Sequence, residues 1–566
     1  MNLQPNHAQV DNKSAAFLAT CSSQYSLLVH RMDDLHRKSS PEAVLTWIEL
    51  IAGFAATNHS GIFADGSIEN IALDIGCDLP KAEGLSPRPL PMLDGARPGR
   101  TVTRRVVHVV TVVLPVGGHT RTILNWIRKD LESEHSLILT RQGSSPIPPE
   151  ILKVVSLSGG RIISLSETLP ILQRAIWLRQ LAPQLGDVAI LHLIPDDIVP
   201  VVAFADKTDI PVGLVNLGDH CFWLGSTVAD AIINLREISI SANKELRFTR
   251  NDLLLPIPLY ENVQRLSRSQ ARSQLGISES QIVILTVGRA IKYAASRRQN
   301  FFATVNTLLL ENQQAHLYIV GISEQDHMQT NVLHGHDRVH FVGKISDPST
   351  YQASADVYIE GFPFGSQTAL LESVLPGVPC VRAVSPLSPL LAASDVALNG
   401  VAQVPADEQE YIEQTSEYIT DAKKRGQVGQ KLRQRVLFWH VQDAWNDALD
   451  KAYGALAACR HSSTPIPADK PSTRSVDYAI SEYHGTRFPR DNNETAIEDL
   501  VRQNILDASY ALRQRGCYLD AFRFIQAANY RRFWDIRSAS LAAKLIPHRT
   551  VTMLEQLQIR WSGGKQ

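Results

Sequence analysis

The chain has 566 residues, of which 44% are apolar and 20% are charged, and its formal net charge is -1. This length exceeds what a single hydrophobic core usually supports, so about two to four domains are expected. The near-neutral charge excludes the broad positive surface of a non-specific nucleic-acid binder, and no nucleic-acid partner is predicted.

The six cysteines form no CxxC pair, so the sequence predicts neither a disulfide framework nor a structural metal site. The first residues lack the basic start and apolar stretch of a signal peptide, and no run of about eighteen apolar residues occurs in the chain. We therefore expect a cytoplasmic protein without a transmembrane segment. Peripheral contact with a membrane and the oligomeric state stay open.

The first half of the chain changes its pattern near residue 104. Residues 1–79 carry apolar positions at helical spacing and predict a helical domain, and a proline- and glycine-rich linker follows over 80–103. Residues 104–265 alternate short β-branched runs with amphipathic stretches, which predicts a doubly wound α/β domain. Its predicted strands cover residues 106–114, 136–140, 187–194, 211–217 and 230–235.

The same alternation restarts over residues 266–456 and predicts a second α/β domain. Its predicted strands cover residues 281–287, 316–321, 338–343, 356–360 and 378–381. A linker over 457–478 then precedes a helical extension over 479–566. The predicted fold class is α/β with two tandem Rossmann-like domains, whose strand ends face a ligand-binding cleft between them.

The strongest local motif is EGFPFGSQTALLESVLPGVPCV, residues 360–381, in which a strand, a tight turn and a helix are expected to follow each other. Free N–H groups at the start of that helix suit a diphosphate, and a carboxylate one turn later suits ribose hydroxyls. The residues predicted to bind the nucleotide here are Gly365, Ser366, Gln367, Thr368 and Glu372.

This motif resembles the donor-domain motif of GT-B glycosyltransferases, and the resemblance covers residues 104–455. Retaining members of family 4 usually carry two glutamates separated by seven residues. If Glu372 is the second, the first position holds Phe364, and Glu360 is displaced by four residues. In this respect the chain is more similar to O-GlcNAc transferase and the bacterial protein N-glycosyltransferases, where Gly-x-x-Thr contacts the diphosphate. This branch implies inversion at the anomeric carbon.

A second motif, VGRAIKYAASRR, follows the first predicted strand of the second domain. Gly288 and Arg289 are expected at the cleft edge, and GT-B donor domains often carry a Gly-Arg step and a nearby lysine there, which Lys292 matches. Two cations would neutralise the charge that develops on a leaving nucleoside diphosphate without a metal ion. The alternative is a solvated basic loop with no ligand.

Several residues of the first α/β domain are candidates for acceptor activation. A glycine-rich turn ends at Gly118, which similar enzymes place against the donor, and His119 follows it. Asp219 beside His220 could supply a general base, and His192 is a rival of the same type. The alternative for each is a structural role at a strand end.

These motifs predict a glycosyltransferase that uses a nucleoside diphosphate sugar, and the resemblance implies a UDP-sugar. The sugar nucleotide is a co-substrate, and no further cofactor is expected. The predicted acceptor is a protein or a glycan, with surface polysaccharide or lipid-linked glycan synthesis as the second possibility. A sugar-nucleotide epimerase and an inactive GT-B scaffold are the alternatives from other classes.

Overall fold

The computed structural model describes residues 12–80, 102–206, 210–261, 266–296, 298–323, 337–384, 388–459, 466–467, 473–486 and 493–528. The chain opens with three helices: α1 (Asn12–Lys38), α2 (Pro41–Thr57) and α3 (Gly66–Cys77). Ser40 starts α2, because its hydroxyl accepts a hydrogen bond of 3.3 Å from the N–H of Ala43 and a proline occupies the first helical position. Most of α2 is buried, including Trp47.

The first α/β half contains a sheet of seven parallel strands in the order β3-β2-β1-β4-β5-β6-β7. In chain order its elements are β1 (Arg104–Val110), α4 (Gly118–Lys129), β2 (Ser133–Leu139), α5 (Pro149–Ser158), β3 (Ile162–Ser164), α6 (Ile171–Leu185), β4 (Val188–His192), α7 (Val199–Ala203), β5 (Val212–Asn216), β6 (Ala231–Asn234), α8 (Glu237–Leu246) and β7 (Asp252–Leu254). The central strands β1 and β4 are buried on both faces, which explains their nearly continuous apolar sequence.

The observed first strand differs from its predicted bounds. It ends at Val110 rather than at residue 114, although the apolar run continues. From residue 111 the chain leaves the sheet to form a loop, in which the N–H of Leu114 donates to the hydroxyl of Thr120 at 2.9 Å. The sequence also did not predict the short strands β3 and β7, which have only three residues each.

The second α/β half contains five parallel strands in the order β10-β9-β8-β11-β12. Its elements are α9 (Arg268–Leu275), β8 (Ile282–Val287), α10 (Phe301–Glu311), β9 (Ala315–Val320), β10 (Val339–Gly343), α11 (Ser349–Ser354), β11 (Val357–Ile359), α12 (Gln367–Val374), β12 (Cys380–Val381), α13 (Glu408–Thr420), α14 (Ala422–Val436) and α15 (Asp443–Ala458). The two parallel sheets confirm the predicted fold class.

Helix α15 returns to the first half after a π-helical turn over Leu437–Val441. Its Trp445 is fully buried beside Val106 and Trp126, and the indole N–H donates to the carbonyl of Pro256 at 2.8 Å. The crossing helix therefore anchors the second half to the first.

The C-terminal helices are α16 (Ser475–Gly485), α17 (Asn493–Gln514) and α18 (Tyr518–Ala528). They pack against the N-terminal helices: Trp47 meets Phe524 edge to face at 4.9 Å, and Asp477 accepts from the buried His59 at 2.9 Å. The sequence boundaries at residues 79 and 479 did not anticipate this contact, and α16 starts inside the predicted linker. No helix in the described part of the chain is long and apolar enough to cross a bilayer.

Candidate functional site

A cleft of about 1490 Å³ lies between the two α/β halves. Loops that follow β1, β5, β8 and β11 line it, as expected for the carboxyl ends of parallel strands. Among the predicted site residues it brings together Gly118, His119, Asp219, His220, Gly288, Arg289, Lys292, Gly365, Ser366, Gln367, Thr368 and Glu372. His192 does not line it.

Two helices begin in this cleft from opposite halves. Neither α4 nor α12 has a side-chain capping bond at its first residue, so their first-turn N–H groups remain available to a ligand. The two starts are close, because a Cβ built on Gly118 would lie 3.2 Å from the hydroxyl oxygen of Thr368. Their partial positive charges therefore fall in one region of the cleft, which favours an anion there.

Two cations of the loop after β8 add to this potential. Arg289 is exposed in the cleft and makes no ion pair within the described residues. Lys292 donates to the carbonyl of Gly365 at 2.6 Å and lies 4.3 Å from the ring centre of Phe364. Burial, reinforced by the charge of Arg289, lowers the pKa of Lys292 to about 7. In the absence of a bound anion, about half of the Lys292 side chains are therefore protonated near neutral pH.

The turn before α12 is built on a buried carboxylate. Glu360 is 1% exposed, and its Oε2 accepts a hydrogen bond of 2.9 Å from the N–H of Ala383. A Cβ on Gly365 would come 2.0 Å from the Oε1 of this carboxylate. Only glycine therefore fits at this point, and the structure places Glu360 beneath the cleft wall instead of in the cleft.

Two of the predicted nucleotide-binding side chains already have protein partners. The Gln367 amide donates to Asp395 at 3.0 Å and to the carbonyl of Ser394 at 3.2 Å. Glu372 forms an ion pair of 3.2 Å with Arg121 from the opposite half. Gln367 is thus hydrogen-bonded within the second α/β half, whereas Glu372 joins the two sides of the cleft.

Asp219 also makes a connection between the halves. It accepts from the Nε of Arg236 at 2.8 Å and from the amide of Asn216 at 2.7 Å. Arg236 in turn donates to the carbonyl of Leu390 in the second half at 3.0 Å. Burial opposes ionisation of Asp219, but the charge and hydrogen bonds of Arg236 overcome it and hold its pKa below the ordinary value. An ion-paired carboxylate of this kind is a weak proton acceptor, so its position favours the structural reading.

His220 lies in an aromatic part of the cleft wall. Its ring centre is 4.7 Å from that of Phe364 and 6.2 Å from that of Tyr483. Burial lowers its pKa to about 3, and the neighbouring Asp219 only partly opposes this shift. The imidazole is therefore neutral at physiological pH and packs as a ring.

His119 occupies the second residue of α4 at the cleft. Burial lowers its pKa to about 4, and a hydrogen bond to the main-chain carbonyl of His192 opposes that shift. Its Nε2 atom has no hydrogen-bond partner in the described structure. A neutral imidazole with an unengaged ring nitrogen can accept a proton.

His192 itself is fully buried at the end of β4, where its Nε2 lies 3.0 Å from the Nδ1 of His108. It cannot meet an acceptor at this position. The sequence predicted His192 as a base because it lies at a strand end. In the structure its side chain points into the layer between sheet and helix.

Three residues of the site were not predicted. Arg121 and Arg236 have no sequence signal beyond their position one turn into a helix and just after a strand. Tyr483 comes from α16 and stacks on Phe364 with ring centres 5.0 Å apart. A residue so distant along the chain could not be assigned to this cleft without the tertiary structure. No cluster of three or more metal-ligating side chains occurs among the described residues.

The chain is similar to one protein family over part of its length and to several solved structures. Residues 281–421 match the family described as Glycosyl transferases group 1, whereas no curated protein matches the chain. Anabaena Alr3699/HepE in complex with UDP and glucose has 17% identity and a TM-score of 0.47, covering 62% of this chain and 99% of that one. A mutant of Thermobaculum terrenum O-GlcNAc transferase has 14% identity and a TM-score of 0.49, covering 80% and 85%. Sucrose-phosphate synthase from Thermosynechococcus elongatus has 15% identity and a TM-score of 0.47, covering 63% and 100%.

The family match includes the Arg289 loop and all of α12. The matched segment therefore contains most of the residues predicted to bind the donor. The predicted enzyme class, a glycosyltransferase, is confirmed by this match.

Proposed function

We propose that this glycosyltransferase of the GT-B fold moves a sugar from a nucleoside diphosphate sugar to a protein or glycan acceptor. The observation that carries the proposal is the meeting of two uncapped helix starts, at Gly118 and Ser366, beside Arg289 and Lys292. A diphosphate is the sugar-donor group whose charge matches this arrangement. We further propose uridine as the base, as the sequence resemblance implies.

The same groups support transfer without a metal ion. When the bond from the anomeric carbon to the diphosphate breaks, negative charge grows on the leaving group. The Arg289 guanidinium, the Lys292 ammonium and the first-turn N–H groups of α12 line the part of the cleft where we propose that this charge forms. Preorganised donors of this kind stabilise a transition state with little reorganisation. We propose that they replace a divalent cation.

We propose His119 as the base that accepts the proton of the acceptor group. Asp219 is held by Arg236, and His220 is packed between aromatic rings. His119 lines the cleft, and its Nε2 atom has no hydrogen-bond partner among the described residues. The proton leaves the acceptor hydroxyl or amide as its oxygen or nitrogen attacks the anomeric carbon.

The acceptor is proposed as a protein or a glycan, with surface polysaccharide or lipid-linked glycan as the second possibility. The acceptor side of the cleft includes Tyr483 of α16, so the terminal helices contribute directly to it. An aromatic wall of Phe364, His220 and Tyr483 suits the apolar face of a sugar ring or an extended peptide. We place the reaction in the cytoplasm.

A nucleotide panel tests the donor proposal. UDP and UDP-sugars are expected to raise the melting temperature of the protein more than GDP, ADP or their sugars do. A ligand at about one hundred times its Kd stabilises the folded state by about 2.7 kcal/mol, because it binds the native state only. The measurement is thermal unfolding at a fixed protein concentration.

The panel is repeated with EDTA and with added Mg²⁺ or Mn²⁺. Equal stabilisation and equal transfer in all three conditions are expected. Loss of transfer in EDTA would contradict the metal-free proposal. Stabilisation by GDP or ADP alone would show that the base of the donor nucleotide is not uridine. Conversion of a UDP-sugar into its epimer would instead identify an epimerase, and binding without any turnover would identify an inactive scaffold.

The affinity for a sugar nucleotide is expected to fall as pH rises through about 7. The pKa of Lys292 is about 7 in the free protein, and a diphosphate beside it must raise that pKa in the complex. Binding therefore takes up a proton above pH 7, so affinity is highest below the free pKa and falls by up to about tenfold between pH 6 and pH 8. Isothermal titration with UDP-glucose measures this, since its diphosphate diester does not titrate in that range.

Lys292→Met serves as the matched variant for this titration. It should bind UDP-glucose more weakly at pH 6 and with little change in affinity from pH 6 to pH 8. If the native protein and the variant show the same pH dependence, Lys292 does not contact the diphosphate.

A further inference from the structure

Three histidines form a buried row on one face of the first sheet. Strand register explains how they meet: His135 is paired with Val106 and His192 with Val110, and His108 lies midway between these two residues of β1. Side chains two residues apart share a face of a sheet, so the three rings are diagonal neighbours across three strands. All three are fully buried.

The rings are joined end to end by hydrogen bonds. His108 Nε2 lies 3.0 Å from His135 Nδ1, and His108 Nδ1 lies 3.0 Å from His192 Nε2. At the far end, His135 Nε2 lies 3.2 Å from the carbonyl oxygen and 3.4 Å from the carboxylate of Asp130. Trp126 covers the row, with its ring 5.8 Å from both His108 and His192.

The chemistry of Asp130 determines the proton positions in the whole row. The main-chain carbonyl oxygen and the carboxylate oxygen of Asp130 near His135 can only accept hydrogen bonds. His135 must therefore carry its proton on Nε2 and accept a hydrogen bond on Nδ1. His108 must then donate from Nε2, and by the same reasoning His192 must donate from Nε2 to His108. Each ring is therefore a single tautomer, and the row ends in the bare acceptor Nδ1 of His192.

The Nδ1 atom of His192 has no hydrogen-bond partner among the described residues. His192 is also the ring next to His119. The rings of His119 and His192 are nearly parallel, at 28°, with centres 6.1 Å apart. The main chain of His192 partly opposes the lowering of the His119 pKa that burial causes. The accepting end of the row therefore lies on His192, the ring that neighbours His119 at the cleft.

We propose that His192, His108 and His135 are positioning residues for His119, stabilising its protonated form through an aligned row of imidazole dipoles anchored at Asp130. This inference rests on the proposed role of His119 as the base. The accepting end of the row lies beside the ring that gains a positive charge when the acceptor loses its proton. The row itself keeps its own protons throughout.

The other polar groups around the row are consistent with this role. Burial and the neighbouring rings hold the pKa of both His108 and His192 well below the ordinary value, so they stay neutral when His119 is protonated. Burial opposes ionisation of Asp130, but hydrogen bonds from His135, Ser133 and Tyr453 keep its pKa low. Tyr453, from α15, donates to the carboxylate of Asp130 at 2.9 Å.

His108→Phe tests the inference because phenylalanine fills the space without joining the rings. Without the row, His119 becomes a weaker base, so the acidic limb of the pH profile of kcat should move to lower pH and the plateau should fall about tenfold. The KM for the sugar nucleotide should stay within about twofold.

Two further variants complete the test. Asp130→Asn should shift the acidic limb of the pH profile in the same direction by a smaller amount. Val109→Ala, a buried change on the opposite face of β1, should lower the melting temperature without moving the limb.

Nitrogen NMR of protein labelled with ¹⁵N-histidine tests the proposed tautomers without measuring enzyme turnover. Native His135, His108 and His192 should all show the tautomer protonated on Nε2, and His108→Phe should change the signals of His192 and His119. Unchanged His119 signals and an unmoved acidic limb in His108→Phe would overturn the proposal and leave the row a structural feature. If no sugar nucleotide supports transfer, the proposed function fails, and the NMR signals alone decide whether the row is aligned toward His119.

Discussion

Replacing Arg289 with alanine is expected to reduce kcat/KM for sugar transfer by about 10²- to 10³-fold, the range found when one preorganised donor to a developing negative charge is removed. The guanidinium is exposed in the cleft and has no ion pair in the described structure, so its removal leaves no unpaired carboxylate behind. Stability should therefore change little. Steady-state transfer with a UDP-sugar, combined with the melting temperature, measures both effects.

Arg161→Ala is the matched control for this variant. Arg161 is also exposed and lies in the same protein outside the cleft. Its loss should leave transfer within about twofold of the native protein, since a surface charge at a distance is largely screened. Equal activities of the two variants would remove Arg289 from the donor site and would weaken the case for diphosphate binding at this end of the cleft.

Replacing Gly365 with alanine is expected to lower transfer by about 10²-fold through displacement of the start of α12. The added Cβ would lie 2.0 Å from the Oε1 of Glu360 and 3.0 Å from the N of Ala393. The Glu360 carboxyl is buried and its Oε2 accepts from the N–H of Ala383, so it can move aside only by breaking this hydrogen bond. The turn must therefore shift, and a misplacement of about 1 Å in a reacting group can cost about 10²-fold in rate.

Gly426→Ala makes the same chemical change where nothing lies within 4 Å of the new methyl group. This glycine is in α14, so alanine should stabilise the protein by up to about 1 kcal/mol and leave transfer unchanged. Transfer and UDP-glucose affinity are measured for both variants. If Gly365→Ala retains native affinity and rate, the position of the α12 start does not control donor binding.

The order of the α/β elements could be predicted from the sequence because it depends on local pattern. Runs such as 106–114 and 281–287 are apolar at nearly every position, which only strands buried on both faces require. Gly365 was likewise recognised by the turn it must make. The ends of strands were less certain, since β1 stops at Val110 within an unbroken apolar run. A strand ends where its neighbours end, and the sequence of one strand does not contain that information.

The structure brings the predicted nucleotide-binding residues to one cleft, whereas His192, one of the predicted bases, lies outside it. The loop at Arg289 and the start of α12 each follow a strand directly, so topology alone brings them to the cleft. The roles of Asp219 and His192 depended on partners far away in sequence. Arg236 connects Asp219 to the opposite half of the molecule, and His108 is hydrogen-bonded to His192 in a buried row.

The sequence by itself determined the two-domain α/β class, the glycine turns and the resemblance to glycosyltransferases, because each depends on residues close together along the chain. Tertiary structure alone decided that Tyr483 reaches the cleft, that Arg121 pairs with Glu372 and that three histidines align across β2, β1 and β4. These contacts join residues that are separated by tens to hundreds of positions. Their distances are set by how sheets and helices pack, which no local pattern encodes.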